Sequence, residues 1–314
     1  MPERAVVTGG AGFVGSVLAR KLVTLGYDVH VWLRPGSDPW RLATLDTRKD
    51  FVDLTDSGSV SAAMTRARPD YVFHLAAHGS YPSQVDWRRM VETNVLGTMN
   101  LVHAALAQNV GTIVNTGSSS EYGLVDHPPP ESARAEPNST YAASKLSQTT
   151  FCRLISREHG IHIPTLRLYS VYGPYEEPSR LMPTLITHGL AGKLPKLVSP
   201  TTARDFVYVD DVADAFLRAA RTETEEPGAI FNVGTGRQTT IGEVVAIARN
   251  VLAIEAEPMW SSMPAREWDT TVWVADPRKI ESSLGWSASV DFEAGFKRFA
   301  SWLEREGPPL GVYS

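Results

Sequence analysis

Tyr141 and Lys145 stand four residues apart in Tyr141-Ala142-Ala143-Ser144-Lys145, a spacing that puts a phenol and an ammonium one helical turn apart on one face. A phenol transfers protons poorly at neutral pH. A nearby ammonium stabilises its phenolate, so such a pair can work as a general acid/base. Upstream, Gly117-Ser118-Ser119-Ser120-Glu121-Tyr122-Gly123 gathers hydroxyls that could hydrogen-bond a reacting oxygen. The third group is Thr8-Gly9-Gly10-Ala11-Gly12-Phe13-Val14-Gly15. Glycines without Cβ let a backbone turn tightly and approach a pyrophosphate, whose charge meets unpaired N–H groups and the positive end of a helix. Both G-x-G-x-x-G (Gly10, Gly12, Gly15) and G-x-x-G-x-x-G (Gly9, Gly12, Gly15) fit, and no Gly-Lys-Ser/Thr follows to make a P-loop.

These groups need elements to carry them. Ala5-Val6-Val7 reads as a buried strand, and Val14, Leu18, Leu22 and Leu25 recur at helical spacing, so the glycines join strand to helix. An isolated glycine motif fits an ordinary tight turn equally well; the strand-loop-helix context favours a dinucleotide cradle built on Gly9, Gly12, Phe13, Val14 and Gly15. Asp28 to Leu33 is the expected second strand, at whose end a cofactor ribose would lie. An acid there would bind the ribose 2′-OH; this chain has Arg34, read as a 2′-phosphate ligand or else a solvated loop arginine, with Ser37 and Arg41 as weaker candidates. Phe51 to Leu54 is the expected third strand and Asp70 to Ala77 the fourth. Asp53, with Leu54, would face the adenine, or Asp53 would cap the next helix. Ala76 and Ala77 would face the cofactor's middle. Trp87 to Gln108 reads as one long helix with Asn94 inside it, Gly111 to Thr116 as the fifth strand, and Tyr141 to about His159 as a helix. The alternation of strands and helices predicts an α/β fold, a Rossmann-type doubly wound parallel sheet with ligands at the strands' carboxyl ends.

The chain has 314 residues, 43% hydrophobic, with a formal net charge of −5, which offers no basic field for nucleic acid. Its one cysteine, Cys152, excludes an internal disulfide and suits a reducing cytosol. No signal-peptide pattern or membrane-length apolar run is visible, so a soluble cytoplasmic protein without a membrane partner is expected. The eight histidines show no metal-ligand spacing, and no metal is expected. His78, after the fourth strand, would touch substrate or sit packed in its loop.

Together the segments Thr8 to Gly15, His74 to Ala77, Asn94 to Thr98, the Ser118 cluster with Tyr122-Gly123, Tyr141 to Lys145, Tyr172-Gly173-Pro174 and Arg204 to Val212 resemble the extended short-chain dehydrogenase/reductase family. The likeness is to its nucleotide-sugar branch of epimerases, dehydratases and 4-keto-sugar reductases, and it runs nearly end to end. The resemblance implies Tyr141 as general acid/base, Lys145 on the nicotinamide ribose, Ser118 on the sugar oxygen with Ser119 and Ser120 secondary, and Asn94 supporting the lysine through a water. It implies Arg204 and Arg266 as a diphosphate clamp, the alternative being ion pairs with Asp205 or Glu267, and Ser170 where relatives carry Asn against the phosphates. It divides the chain into a cofactor-binding domain, 1–172 with a return segment about 204–232, and a mainly substrate-binding domain, 173–314. Homodimerisation through the Asn94 and Tyr141 helices is a family expectation. Dehydratases carry an Asp-Glu pair directly after the catalytic hydroxyl residue; here Ser119-Ser120 follows, with Glu121 displaced by one. A 4-epimerase usually takes NAD with an acid after the second strand. The expectation is therefore an NADPH-dependent reductase of a nucleotide-activated 4-keto-6-deoxy sugar, with an NAD-dependent 4-epimerase as the alternative and a 4,6-dehydratase behind it. A non-enzymatic dinucleotide sensor would commonly lack the Tyr-Lys pair.

Overall fold

The computed structural model describes residues 2–81, 83–263 and 270–306. Its elements run β1 (Arg4–Thr8), α1 (Phe13–Thr24), β2 (Asp28–Leu33), β3 (Arg48–Phe51), α2 (Ser57–Ala67), β4 (Tyr71–His74), α3 (Trp87–Val91), a π-helical turn (Glu92–Leu96), α4 (Gly97–Ala107) and β5 (Thr112–Ser118). A 3₁₀ turn (Ser119–Tyr122) then leads through a loop to α5 (Thr140–His159), β6 (Thr165–Leu168), β7 (Ser170–Tyr172) and α6 (Leu181–Leu190). The remainder is β8 (Ala203–Arg204), β9 (Phe206–Tyr208), α7 (Val209–Arg221), β10 (Ile230–Val233), β11 (Thr239–Thr240), α8 (Ile241–Leu252), α9 (Arg278–Leu284) and α10 (Phe292–Glu306).

Among the described residues, seven strands form one sheet in the order β3-β2-β1-β4-β5-β6-β10, every neighbouring pair parallel. The expected Rossmann-type doubly wound sheet is therefore the architecture observed. Strand order reverses between β1 and β4, and such a switch point opens a crevice at the carboxyl edge. One face packs on α1 and α7 through Leu18, Leu22, Val212 and Phe216; the other packs on α2, α4 and α5 through Val60, Met64, Leu101 and Cys152. A third apolar cluster, including Tyr172, Leu185, Phe206, Val244 and Phe299, gathers α6, α8 and α10 on the small β7–β9 sheet. Because β7 starts one residue after Tyr169, this second body stands directly beyond the end of β6.

Two elements differ from expectation. β3 lies earlier than Phe51–Leu54, since its register pairs His30 with Arg48 and Leu33 with Phe51. Its polar residues form an edge strand held by the ladder, while the buried Val52 and Leu54 lie beyond it in the core. The long helix is interrupted by the π turn, with fully buried Asn94 inside it.

A directional chain of hydrogen bonds links these pieces under the carboxyl edge. Thr8 Oγ1 accepts from the N–H groups of Leu75 and Ala76 at 3.2 Å and lies 2.7 Å from His74 Nδ1. His74 Nε2 lies 2.8 Å from Thr98 Oγ1, which donates to the Asn94 carbonyl at 2.7 Å. Because the Thr98 hydrogen is committed, Nε2 must carry the imidazole proton and Nδ1 must accept from Thr8. Complete burial pushes the His74 pKa down to about 3, helped by the charge of Lys145, so the ring is neutral. Between the ordinary histidine value and that one, the unfolded chain holds a proton that the native chain lacks. Stability must therefore fall as pH falls, by about 1.4 kcal/mol per unit, or about 2 kcal/mol between pH 6.5 and 5. Urea unfolding at the two pH values should show this loss, and His74→Gln should flatten it; a variant that keeps the full acid slope would contradict the assignment.

Candidate active site

The glycine-rich loop sits where β1 meets β4. Gly9 has φ +68°, and a Cβ on it would lie 2.7 Å from the Ala76 nitrogen; one on Gly15 would lie 2.4 Å from the Gly9 oxygen. The loop closes through Gly12 N–H to the Gly9 carbonyl at 2.9 Å, and α1 starts at Phe13 with Gly12 as an N-cap that has no side chain to spend on it. The first amides of the helix, from Phe13, Val14 and Gly15, are left for a ligand, a cradle that suits a pyrophosphate. Ala76 borders this loop, and both it and Ala77 are half-buried.

At the next strand end, β5 delivers Ser118 into a capping box. Ser118 Oγ accepts from Ser120 N–H at 3.2 Å, and its own N–H donates to Glu121 Oε1 at 2.8 Å. Tyr141, on the first turn of α5 where Ser139 caps the helix, lies beside Ser118. Burial pushes the Tyr141 phenol up to about 12, with nearby Ser118 pulling it back, so it stands as a neutral proton donor. Lys145, one turn on and 1% exposed, is pushed down to about 8 by burial while Glu121 opposes that shift. The structure thus brings Ser118, Tyr141 and Lys145 together. Ser119 and Ser120 occupy the same 3₁₀ turn, and Ser119 lines a small cavity with Tyr122, Tyr169 and Trp273.

Glu121, which follows the serines, is committed to partners within the protein. It is fully buried, with Oε2 accepting from Arg167 Nε at 2.9 Å and Oε1 from Thr149 Oγ1 at 3.1 Å as well as from Ser118 N–H. Breaking such a buried pair costs about 3–5 kcal/mol, which binds this carboxylate to the backbone behind Ser118.

Asn94 uses its amide to clamp the loop after β4: Oδ1 accepts from His78 N–H, and Nδ2 donates to the His78 carbonyl, both at 2.8 Å, and to Ser144 Oγ at 2.9 Å. His78 is 8% exposed, with Nδ1 buried and lacking a hydrogen-bond partner. Burial lowers its pKa, and the charges of Arg89 and Arg34 lower it further.

At the end of β2, where an adenosine ribose is expected, Arg34 follows the strand directly and is exposed. Ser37 Oγ donates to its carbonyl at 2.7 Å. Arg41 is otherwise engaged: it is 6% exposed, and its guanidinium donates to Tyr175 O, Ala11 O and Glu177 Oε2. It buttresses the glycine loop, so its candidacy for a 2′-phosphate is withdrawn. Asp53 Oδ1 accepts from Thr55 N–H and Oγ1 at 2.9 and 2.8 Å, while the cap of α2 is Asp56. Leu54 is buried against Gly97, and its carbonyl accepts from Asn100 Nδ2 at 2.9 Å.

On the side of the second body, Ser170 opens β7 and its N–H donates to the Asp205 carbonyl at 2.9 Å. Arg204 lies 5.3 Å over the Trp273 ring, and Nη1 donates to the Ala203 carbonyl at 2.7 Å. Arg266 lies outside the described residues. Asp205 was named from the sequence only as an ion-pair alternative for Arg204, yet its buried carboxylate accepts from Thr235 N–H and Oγ1 and from the Gly236 and Ala275 N–H groups. Only its position beside Arg204 hinted at it.

The model of the NAD-dependent epimerase/dehydratase family matches residues 5–234. UDP-glucose 4-epimerase of Mycolicibacterium smegmatis is 30% identical over 96% of this chain and 99% of its own length. dTDP-glucose 4,6-dehydratase of Streptomyces antibioticus is 27% identical over 95% of this chain and 91% of its own. Among solved structures, UDP-glucose 4-epimerase of Thermotoga maritima with UDP-glucose superposes with a TM-score of 0.88 at 28% identity, covering 96% of this chain and 99% of that one. The Thermus thermophilus UDP-glucose 4-epimerase complex with NAD superposes at 0.87 with 29% identity and the same coverage.

Proposed function

The chain belongs to the NAD-dependent epimerase/dehydratase family, and from that premise we propose that it is an NADPH-dependent reductase of a nucleotide-activated 4-keto-6-deoxy sugar. The observation that carries this choice is the end of β2, where Leu33 is followed by the exposed Arg34 and no carboxylate. A guanidinium there forms charge-assisted bonds to a 2′-phosphate, whereas an acid would repel it.

In this proposal residues 1–172, with the return segment about 204–232, hold the cofactor, and 173–314 mainly hold the substrate. The amides of Phe13, Val14 and Gly15 and the close approach allowed by Gly9 and Gly12 receive the pyrophosphate; Asp53 and Leu54 border the adenine, and Ala76 and Ala77 the centre of the cofactor. Bound NADPH would supply hydride to the sugar C4. Tyr141 gives its phenolic proton to the C4 oxygen, Ser118 hydrogen-bonds that oxygen, and Lys145 holds the nicotinamide ribose. His78, Ser119 and Ser120 contact the sugar, and Ser170, Arg204 and Arg266 the diphosphate. A neutral phenol with its pKa near 12 is the protonated acid that ketone reduction requires. The commitment of Glu121 to Arg167 and the Ser118 amide argues against dehydration, which needs a free base and acid beside the sugar.

A second activity, NAD-dependent 4-epimerisation, is favoured by the names of the relatives and by the NAD complex among the neighbours. It predicts a cofactor that is retained and recycled. A cytoplasmic homodimer fits both: exposed Trp87 and Val91 on α3, Leu96 in the π turn and Leu154 on α5 give the Asn94 and Tyr141 helices an apolar outer face. Sedimentation should show a dimer, and a monomer at micromolar concentration would remove that part of the proposal.

The cofactor assignment is tested by dissociation constants for NADPH and NADH. NADPH should bind more tightly, and Arg34→Ala should cost NADPH about 1.5–3 kcal/mol while leaving NADH nearly unchanged. Equal wild-type affinities, or tighter NADH, would return the choice to the epimerase.

A further inference from the structure

Lys145 is buried among side chains, so its ammonium must find acceptors inside the protein. Nζ donates to Gln148 Oε1 at 2.6 Å. Gln148 Nε2 donates in turn to Asn115 Oδ1 at 2.6 Å, and Asn115 Nδ2 to Thr165 Oγ1 at 3.0 Å. All four residues are at most 1% exposed. The ammonium has only hydrogens to offer, so the Gln148 oxygen must face it; the Gln148 nitrogen then faces Asn115, which must present its own oxygen. The chain therefore has one direction, from α5 through β5 to β6. Asn94 spends its amide on His78 and Ser144 instead.

We propose that Gln148, locked by Asn115 and Thr165, is the positioning residue that orients the Lys145 ammonium beside Tyr141. This rests on the Tyr141–Lys145 assignment made above. The charged and titratable groups facing Lys145 come from every element packed on it. Glu121 on the turn after β5 is held by Arg167 of β6, Cys152 lies further along α5, and His74 stands at the end of β4. Burial holds the Cys152 thiol up at about 12 and the His74 imidazole down at about 3, so both are neutral near pH 7. Gln148 thus supplies an acceptor without a charge, leaving Glu121 as the anion that acts on the lysine. A buried amide left without its partner would face a large desolvation penalty, which is why the chain holds one arrangement.

The protein has seven lysines, few enough for side-chain NMR of lysine-labelled protein with Lys145→Met identifying the resonance. Wild-type Lys145 should titrate near 8. Gln148→Glu keeps the polar chain, because Asn115 can turn round and donate to the new carboxylate. It should raise the Lys145 midpoint by on the order of one unit or more. Gln148→Met removes the acceptor at similar volume and should lower the midpoint. Midpoints in both variants indistinguishable from wild type would overturn the proposal, and a raised midpoint in Gln148→Glu alone would sustain it if Gln148→Met does not fold. The titration needs neither cofactor nor substrate. Shifted midpoints in a protein that turns over no nucleotide sugar would therefore sink the reductase assignment and leave the role of Gln148 standing.

Discussion

Polar groups beneath the carboxyl edge of the sheet must be paired without water, and the chain from Thr8 through His74 and Thr98 to Asn94 meets that constraint. Each link fixes the next: Thr8 also holds the Leu75 and Ala76 amides, and Asn94 reaches on to His78 and Ser144. The glycine loop, the β4 loop, the π turn and the helix that carries Tyr141 are thereby set in one frame. An unpaired buried polar group costs about 1–3 kcal/mol, so a slip in any member would be felt by all. The π turn belongs to the same solution, since it carries the buried Asn94 whose amide bridges the β4 loop and α5.

Charge is divided between structure and chemistry at this edge. Glu121 and Arg167 neutralise each other behind Ser118, and Arg41 is spent on Ala11, Tyr175 and Glu177. Arg34 stays exposed at the end of β2. The carboxylate nearest the hydroxyl cluster is thus held in a buried ion pair, while the arginine that follows β2 is open to solvent.

Much of the fold was legible because local pattern encodes it. Glycines between an apolar strand and an amphipathic helix, the run Asp28–Leu33, and the Tyr141 helix begin and end close to where periodicity and caps place them. β3 was misplaced because a polar edge strand has no burial pattern, and the apolar residues after it belong to the core. The convergence of Ser118 with Tyr141 followed from their expected places at a strand end and the next helix start. The support beneath them was illegible: Gln148 with Asn115 spans 33 residues, Glu121 with Arg167 spans 46, and Arg41 with Tyr175 spans 134. Such pairings leave no periodic trace, because any buried donor can meet any acceptor that the fold brings to it. Arg41 shows the cost, since a basic residue near β2 reads like a phosphate ligand until its burial is known.

Reduction of a 4-keto sugar is a single hydride transfer from the cofactor to C4, whereas epimerisation first takes a hydride from C4 and then returns it, so only reduction consumes the cofactor. The most direct measurement follows deuterium from nicotinamide-labelled NADPH into a nucleotide-linked 4-keto-6-deoxy hexose by mass spectrometry, with wild type and Tyr141→Phe. A reductase incorporates one deuterium at C4 for each NADPH oxidised, and Tyr141→Phe loses most of that turnover. Interconversion of UDP-glucose and UDP-galactose with no net cofactor consumption, and no label in the keto sugar, would contradict it.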